Sequence, residues 1–143
     1  MTKSILLPVD LNHASSWHKA MPQAVALARA DGAVIHVLTV IPDYGMAMVG
    51  NYFPEGFAEK ALETSQEVLQ QLIADNIPDD IKTEAHVMHG TIYKSILKAA
   101  ENNDCDLIVM ASHRSEMKDY LLGPNSARVV RHASQSVFVV RGE

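Results

Sequence analysis

The sequence predicts an α/β fold with a parallel sheet and helices on both faces, and three observations carry that expectation. Five short β-rich runs recur along 143 residues. The stretches between them place apolar residues three and four apart, which is the period of a helix packed on one side. Four of the five runs are nearly continuous in aliphatic residues, as strands buried on both faces must be. The order is βαβαβαβαβ, and strands joined through helices make right-handed crossovers.

The strand runs are "SILLPVD" at 4–10, "AVIHVLTVI" at 33–41, "TEAHVMH" at 83–89, "DLIVMAS" at 106–112 and "SVFVVR" at 136–141. The third alternates more than the others, which suits an edge. A first helix carries Trp17, Ala20, Met21, Ala24, Leu27 and Ala28, with Ser15 or Ser16 as its cap and Asp31-Gly32 at its end. Pro22 inside that pattern kinks the helix or delays its start. From Phe57 to Asn76, Ala61, Leu62, Val68, Leu69, Leu72 and Ile73 fall to one side, and Ile77-Pro78-Asp79 ends the run. Thr91 caps a third helix with Ile92, Ile96, Leu97 and Ala100 inward. The fourth opens at Gly123-Pro124, where proline's missing N–H costs nothing.

A chain of 143 residues suits one domain over 1–143. Hydrophobic residues at 48% and charged residues at 20% describe an ordinary globular composition. A formal charge of -5 argues against a nucleic-acid surface, which needs a basic face to release counterions. Pro8 and Asp10 cut the first apolar run short of a signal peptide, and no run approaches the roughly twenty residues of a membrane span. The expectation is a cytoplasmic protein with no membrane contact. The single cysteine, Cys105, has no CxxC partner and reads as a packing thiol.

In open parallel sheets, ligands sit outside the carboxyl ends of the strands where strand order reverses. That rule selects Pro8-Val9-Asp10, Val40-Ile41 and the loop from Ala111 to Ser126. The loop leads into a helix N-terminus with basic residues nearby, a combination suited to anions. At these residues the chain resembles the universal stress protein family: "ILLPVD", "DLIVMASHR", "LLGPNSARVVRHA" and "SVFVVR" match it in order over essentially the whole length. The resemblance implies a Rossmann-like, adenine nucleotide alpha hydrolase-like sheet of order 3-2-1-4-5, with ATP, with or without Mg2+, between strands one and four. The "ASHR…LLGPN" form resembles the subgroup near the F and G paralogues of enteric bacteria.

The family's nucleotide motif is GxxG, nine residues, then G[ST]. Here Ala111 and Arg114 stand at the first two glycines, eight residues follow, and Gly123-Pro124 closes the motif. Side chains at these positions restrict the turning of backbone N–H groups toward phosphate, and Pro124 removes a donor. Arg114 offers a charge-assisted substitute, while Asn125 and Ser126 bring N–H groups at a helix N-terminus. Carried over from the family, Pro8, Val9 and Asp10 border adenine and ribose, the Val40 backbone pairs with the adenine edge, and Met110 and Ala111 line base and sugar. Ser112, His113, Arg114, Gly123, Asn125 and Ser126 surround the phosphates. The plain alternative is that Asp10 caps the following turn and Arg114 is solvated.

Seven histidines raise the question of a metal. His86 and His89 lie on opposite strand faces, and His13 and His18 are five apart without a Cys or Glu partner, so no metal site is expected. His36 reads as a satisfied core residue, and His113 is singled out because it stands in the loop assigned to the phosphates. The segment "PDYGMAMVGNYFPEGF" at 42–57 reads as cover for the sheet end, or as a lid or partner surface. The closing strand, 136–141, is an apolar edge suited to a homodimer, which the resemblance also implies.

The leading reading is an ATP-binding stress protein acting as sensor or regulator. The P-loop GxxxxGK[ST] is absent, and His113, Glu116 and Asp119 are the candidates for a base, so at most slow ATPase activity is expected. The alternative is a nucleotide-free dimeric interaction module of the same fold, with an unidentified protein partner. A dinucleotide enzyme lacks its glycine turn in "DLNHASS", and a phosphoacceptor domain lacks an acidic pair after Asp10.

Overall fold

The computed structural model describes residues 1–42, 57–112 and 124–141. Five strands, β1 (Ser4–Pro8), β2 (Val34–Pro42), β3 (Thr83–Gly90), β4 (Leu107–Ala111) and β5 (Ser136–Val140), form one parallel sheet in the order β3-β2-β1-β4-β5. Helices α1 (Ala20–Asp31), α2 (Phe57–Asn76), α3 (Ile92–Asn102) and α4 (Pro124–His132) alternate with them along the chain. The alternating order and the edge position of the third run are as the sequence implies.

The continuous apolar runs exist because the sheet has a core on each face. Ile5, Leu6 and Leu7 are consecutive and all wholly buried. Ile5 and Leu7 pack with Met21, Ala24, Ala28 and Leu69 of α1 and α2. Leu6 faces the other way, with Leu38, Ile108, Ile96 and Ala99, and Val129 from α4. Each side chain of this size contributes roughly 1.5–3 kcal/mol by leaving water.

Two helical expectations need correction. Helix α1 starts at Ala20, with Lys19 at the cap position and no side-chain cap, so neither Ser15 nor Ser16 caps it. A start at Ser16 would place Pro22 in the helix interior, at about 3 kcal/mol; starting at Ala20 leaves it in the first turn, where an N–H has no intrahelical partner. Ser16 instead ends a short 3-10 turn, Ala14–Ser16. Trp17, outside the helix, still packs against the α1 core. On α2, Leu69 is buried but Val68 is 47% exposed, because adjacent residues lie about 100° apart around the axis.

The other helix ends follow the sequence more closely. Gly32 closes α1 at φ 68 and donates to the carbonyl of Ala28, the left-handed closure that glycine enters without a Cβ penalty. Thr91 occupies the cap position of α3, although its hydroxyl makes no cap hydrogen bond. Pro124 is the first residue of α4.

Candidate functional site

The strand lengths leave β2 overhanging the end of β1. Pairing of β1 with β2 stops at Pro8 opposite Leu38, with one further bond from the Val9 N–H to the Leu38 carbonyl. Strand β2 continues to Pro42, paired only with β3. Along a strand, the backbone groups of alternate residues point to the same side. Val34 and Leu38 bond toward the β1 side and Ile35 toward β3. The N–H and C=O of Val40 therefore point into the space beyond the end of β1, with no backbone partner among the described residues.

Asp10 turns the chain away at that point. Its Oδ1 accepts from the Asn12 N–H at 2.9 Å and its Oδ2 lies 3.0 Å from His13 Nδ1. The hydroxyl of Ser16 accepts from the Asp10 N–H at 2.8 Å and lies 2.7 Å from the His13 carbonyl oxygen. The carboxylate thus does hold its own turn. It remains 44% exposed, and each oxygen keeps a further lone pair for a ligand. Sequence reasoning does not connect His13 or Ser16 with Asp10; the signal for it is Asp-x-x-His with a serine three residues further on.

The opposite wall is the end of β4. Ala111 is half-buried and its carbonyl accepts from the Ser126 hydroxyl at 2.7 Å, which ties β4 to the first turn of α4. Ser112 donates its N–H to the Val140 carbonyl at 3.1 Å. Its hydroxyl is buried and has no hydrogen-bond partner among the described residues. Asn125 is half-buried at the start of α4, where unpaired N–H groups carry the positive end of the helix dipole.

The predicted site residues thus fall in three groups at the carboxyl side of the sheet. Pro8, Val9 and Asp10 end β1, Met110, Ala111 and Ser112 end β4, and Asn125 and Ser126 start α4. The side chains of Val9 and Met110 are only 6% exposed and belong to the two cores, so their contribution to a cleft is backbone. His113, Arg114 and Gly123, the candidate bases Glu116 and Asp119, and nearly all of the 42–57 segment lie outside the described residues. Cys105 is buried, and burial first, then Asp106, Asp104 and Glu84, push its thiol up to about 12; it is the packing residue that the sequence suggested.

This arrangement can be set beside known proteins. A model of the universal stress protein family matches residues 1–141. The chain belongs to that family. Universal stress protein G of Shigella flexneri is 32% identical, over 99% of this chain and 100% of its own. Universal stress protein UspA from Lactobacillus plantarum superposes with a TM-score of 0.68 at 22% identity, over 97% of both chains. A universal stress protein in complex with cAMP superposes with a TM-score of 0.65 at 21% identity, over 99% of this chain and 98% of that one. The last two support the sheet order and the Rossmann-like fold of this universal stress protein. No described helix is long and apolar enough to cross a membrane.

Proposed function

We propose that the cleft between β1 and β4 binds an adenine nucleotide, ATP with or without Mg2+, and that the protein is a cytoplasmic stress sensor or regulator with little or slow hydrolysis. The observation that carries this reading is the outward-facing N–H and C=O of Val40, a donor and acceptor side by side, which is the pattern an adenine edge requires. Asp10 has free lone pairs for ribose hydroxyls. The Ser112 hydroxyl and the start of α4 suit an anionic phosphate, with Arg114 supplying charge where Ala111 and Pro124 limit backbone donation. The complex of a fellow family member with cAMP supports the same ligand class.

The apolar edge strand 136–141 is the proposed homodimer surface, since Phe138 is 36% exposed there. Titration calorimetry of ATP, AMP and adenosine into wild type, Asp10→Ala and Arg114→Ala tests the ligand. Asp10→Ala should weaken all three by about tenfold, the worth of a charge-assisted hydrogen bond of roughly 1.5 kcal/mol. Arg114→Ala should weaken ATP more than AMP. A wild type that binds none of them leaves the nucleotide-free interaction module as the better account.

A further inference from the structure

We propose that His36, Glu84 and His86 form a three-ligand site for a divalent transition-metal ion, zinc in preference, on the face of the sheet covered by α3 and α4. The register places them together: His36 of β2 stands opposite Glu84 of β3, and His86 is two residues on, hence on the same face. Their side-chain ligand atoms all lie within 4.8 Å of one another.

The two rings are within hydrogen-bond reach of each other, whereas Glu84 stands beyond it from both. His36 Nδ1 is 3.0 Å from His86 Nε2, while Glu84 Oε1 is 3.8 Å from each of them. Tetrahedral zinc with bonds of about 2.0–2.1 Å holds its ligand atoms about 3.3 Å apart, midway between these values. Small side-chain rotations would close the difference. At 3.8 Å the carboxylate makes a hydrogen bond to neither ring, so its place beside two imidazole nitrogens has no explanation in hydrogen bonding.

The donor chemistry fits as well. His36 is buried, and imidazole and carboxylate are both zinc-ligating groups. A neutral ring is the form that ligates. In the pair as it stands, one ring carries its proton between the two nitrogens. Moving that proton to the other nitrogen of the same ring frees both lone pairs without net proton release. Two imidazoles and one carboxylate suit zinc rather than magnesium or calcium. His86 and Glu84 are 25% and 59% exposed, which gives an ion a route from solvent and leaves a fourth position for water.

The test is zinc binding by the full chain after chelator treatment, read by competition with a chromophoric chelator, with cobalt(II) absorption as the coordination signature. Wild type should bind one zinc per chain and give the intense visible bands of four-coordinate cobalt. Loss of an outer-shell partner alone lowers metal affinity about 10–100-fold, so His86→Ala should lower it by more than about 100-fold. Glu84→Gln, at an exposed position that does not threaten folding, should lower it at least about tenfold. Absence of stoichiometric zinc binding in wild type, or binding unchanged in both variants, overturns the proposal. The nucleotide titrations are run on the same metal-free protein, so the two readings fail independently.

Discussion

The two edges of the sheet are chemically unlike. Strand β3 pairs with β2 over eight residues, from Thr83 to Gly90, and carries Glu84, His86 and His89. Strand β5 is five residues long and presents Val137, Phe138 and Val139. A charged or imidazole-bearing edge resists the addition of another strand, whereas an apolar one invites it. One edge therefore carries polar, ligating side chains and the other apolar ones, although both close the same sheet.

The sharpest way to break this contrast is to put a charge on each edge. If the proposed homodimer forms through β5, Phe138→Lys should shift it to monomer in sedimentation, because a like-charge contact across an interface costs on the order of several kcal/mol. His89→Lys, on the exposed side of β3, should leave the oligomeric state unchanged; loss of dimer in both would show that the edges are not specialised. The centre of the sheet provides a smaller effect. Cys105, just before β4, has its thiol raised to about 12, so it should resist a thiol reagent at pH 8 until the protein unfolds. The raised value also fixes a sign: the folded state holds its proton longer than the unfolded chain. Stability from this group is intact below about pH 9 and declines as pH rises toward 12, and Cys105→Ala should flatten that decline in thermal melts. Smallest is Arg29→Ala. Arg29 pairs with Asp80, in the turn before β3, at 3.1 Å, and the guanidinium hydrogen bond, its largest cause, holds the Asp80 carboxyl below its usual range. Both groups are exposed, so the melting temperature should not move measurably.

The sheet was legible in the sequence because two-sided burial leaves long aliphatic runs: Ile5, Leu6 and Leu7 face alternate cores, so all three had to be apolar. The start of α1 was harder, since Trp17 keeps helical spacing with Ala20 and Met21 while lying outside the helix; only the position of Pro22 set the boundary. Within the site, Asp10 and the β4 end could be placed by the rule for strand carboxyl ends. The turn that binds Asp10 to His13 and Ser16 could not, because it depends on local chain reversal. The cluster of His36, Glu84 and His86 was also beyond sequence spacing: His36 and His86 are fifty residues apart, and only the pairing register of β2 with β3 brings them together.

The overhang of β2 past β1 bears on how such a cleft drifts. Val40 offers its N–H and C=O through the relative lengths of two strands, and no codon specifies either group. Substitutions at position 40 that keep the strand leave that part of the cleft intact, so it is shielded from point mutation in a way that Asp10 is not. Erasing it takes a slip in register or a longer β1, changes that would also turn core side chains toward solvent.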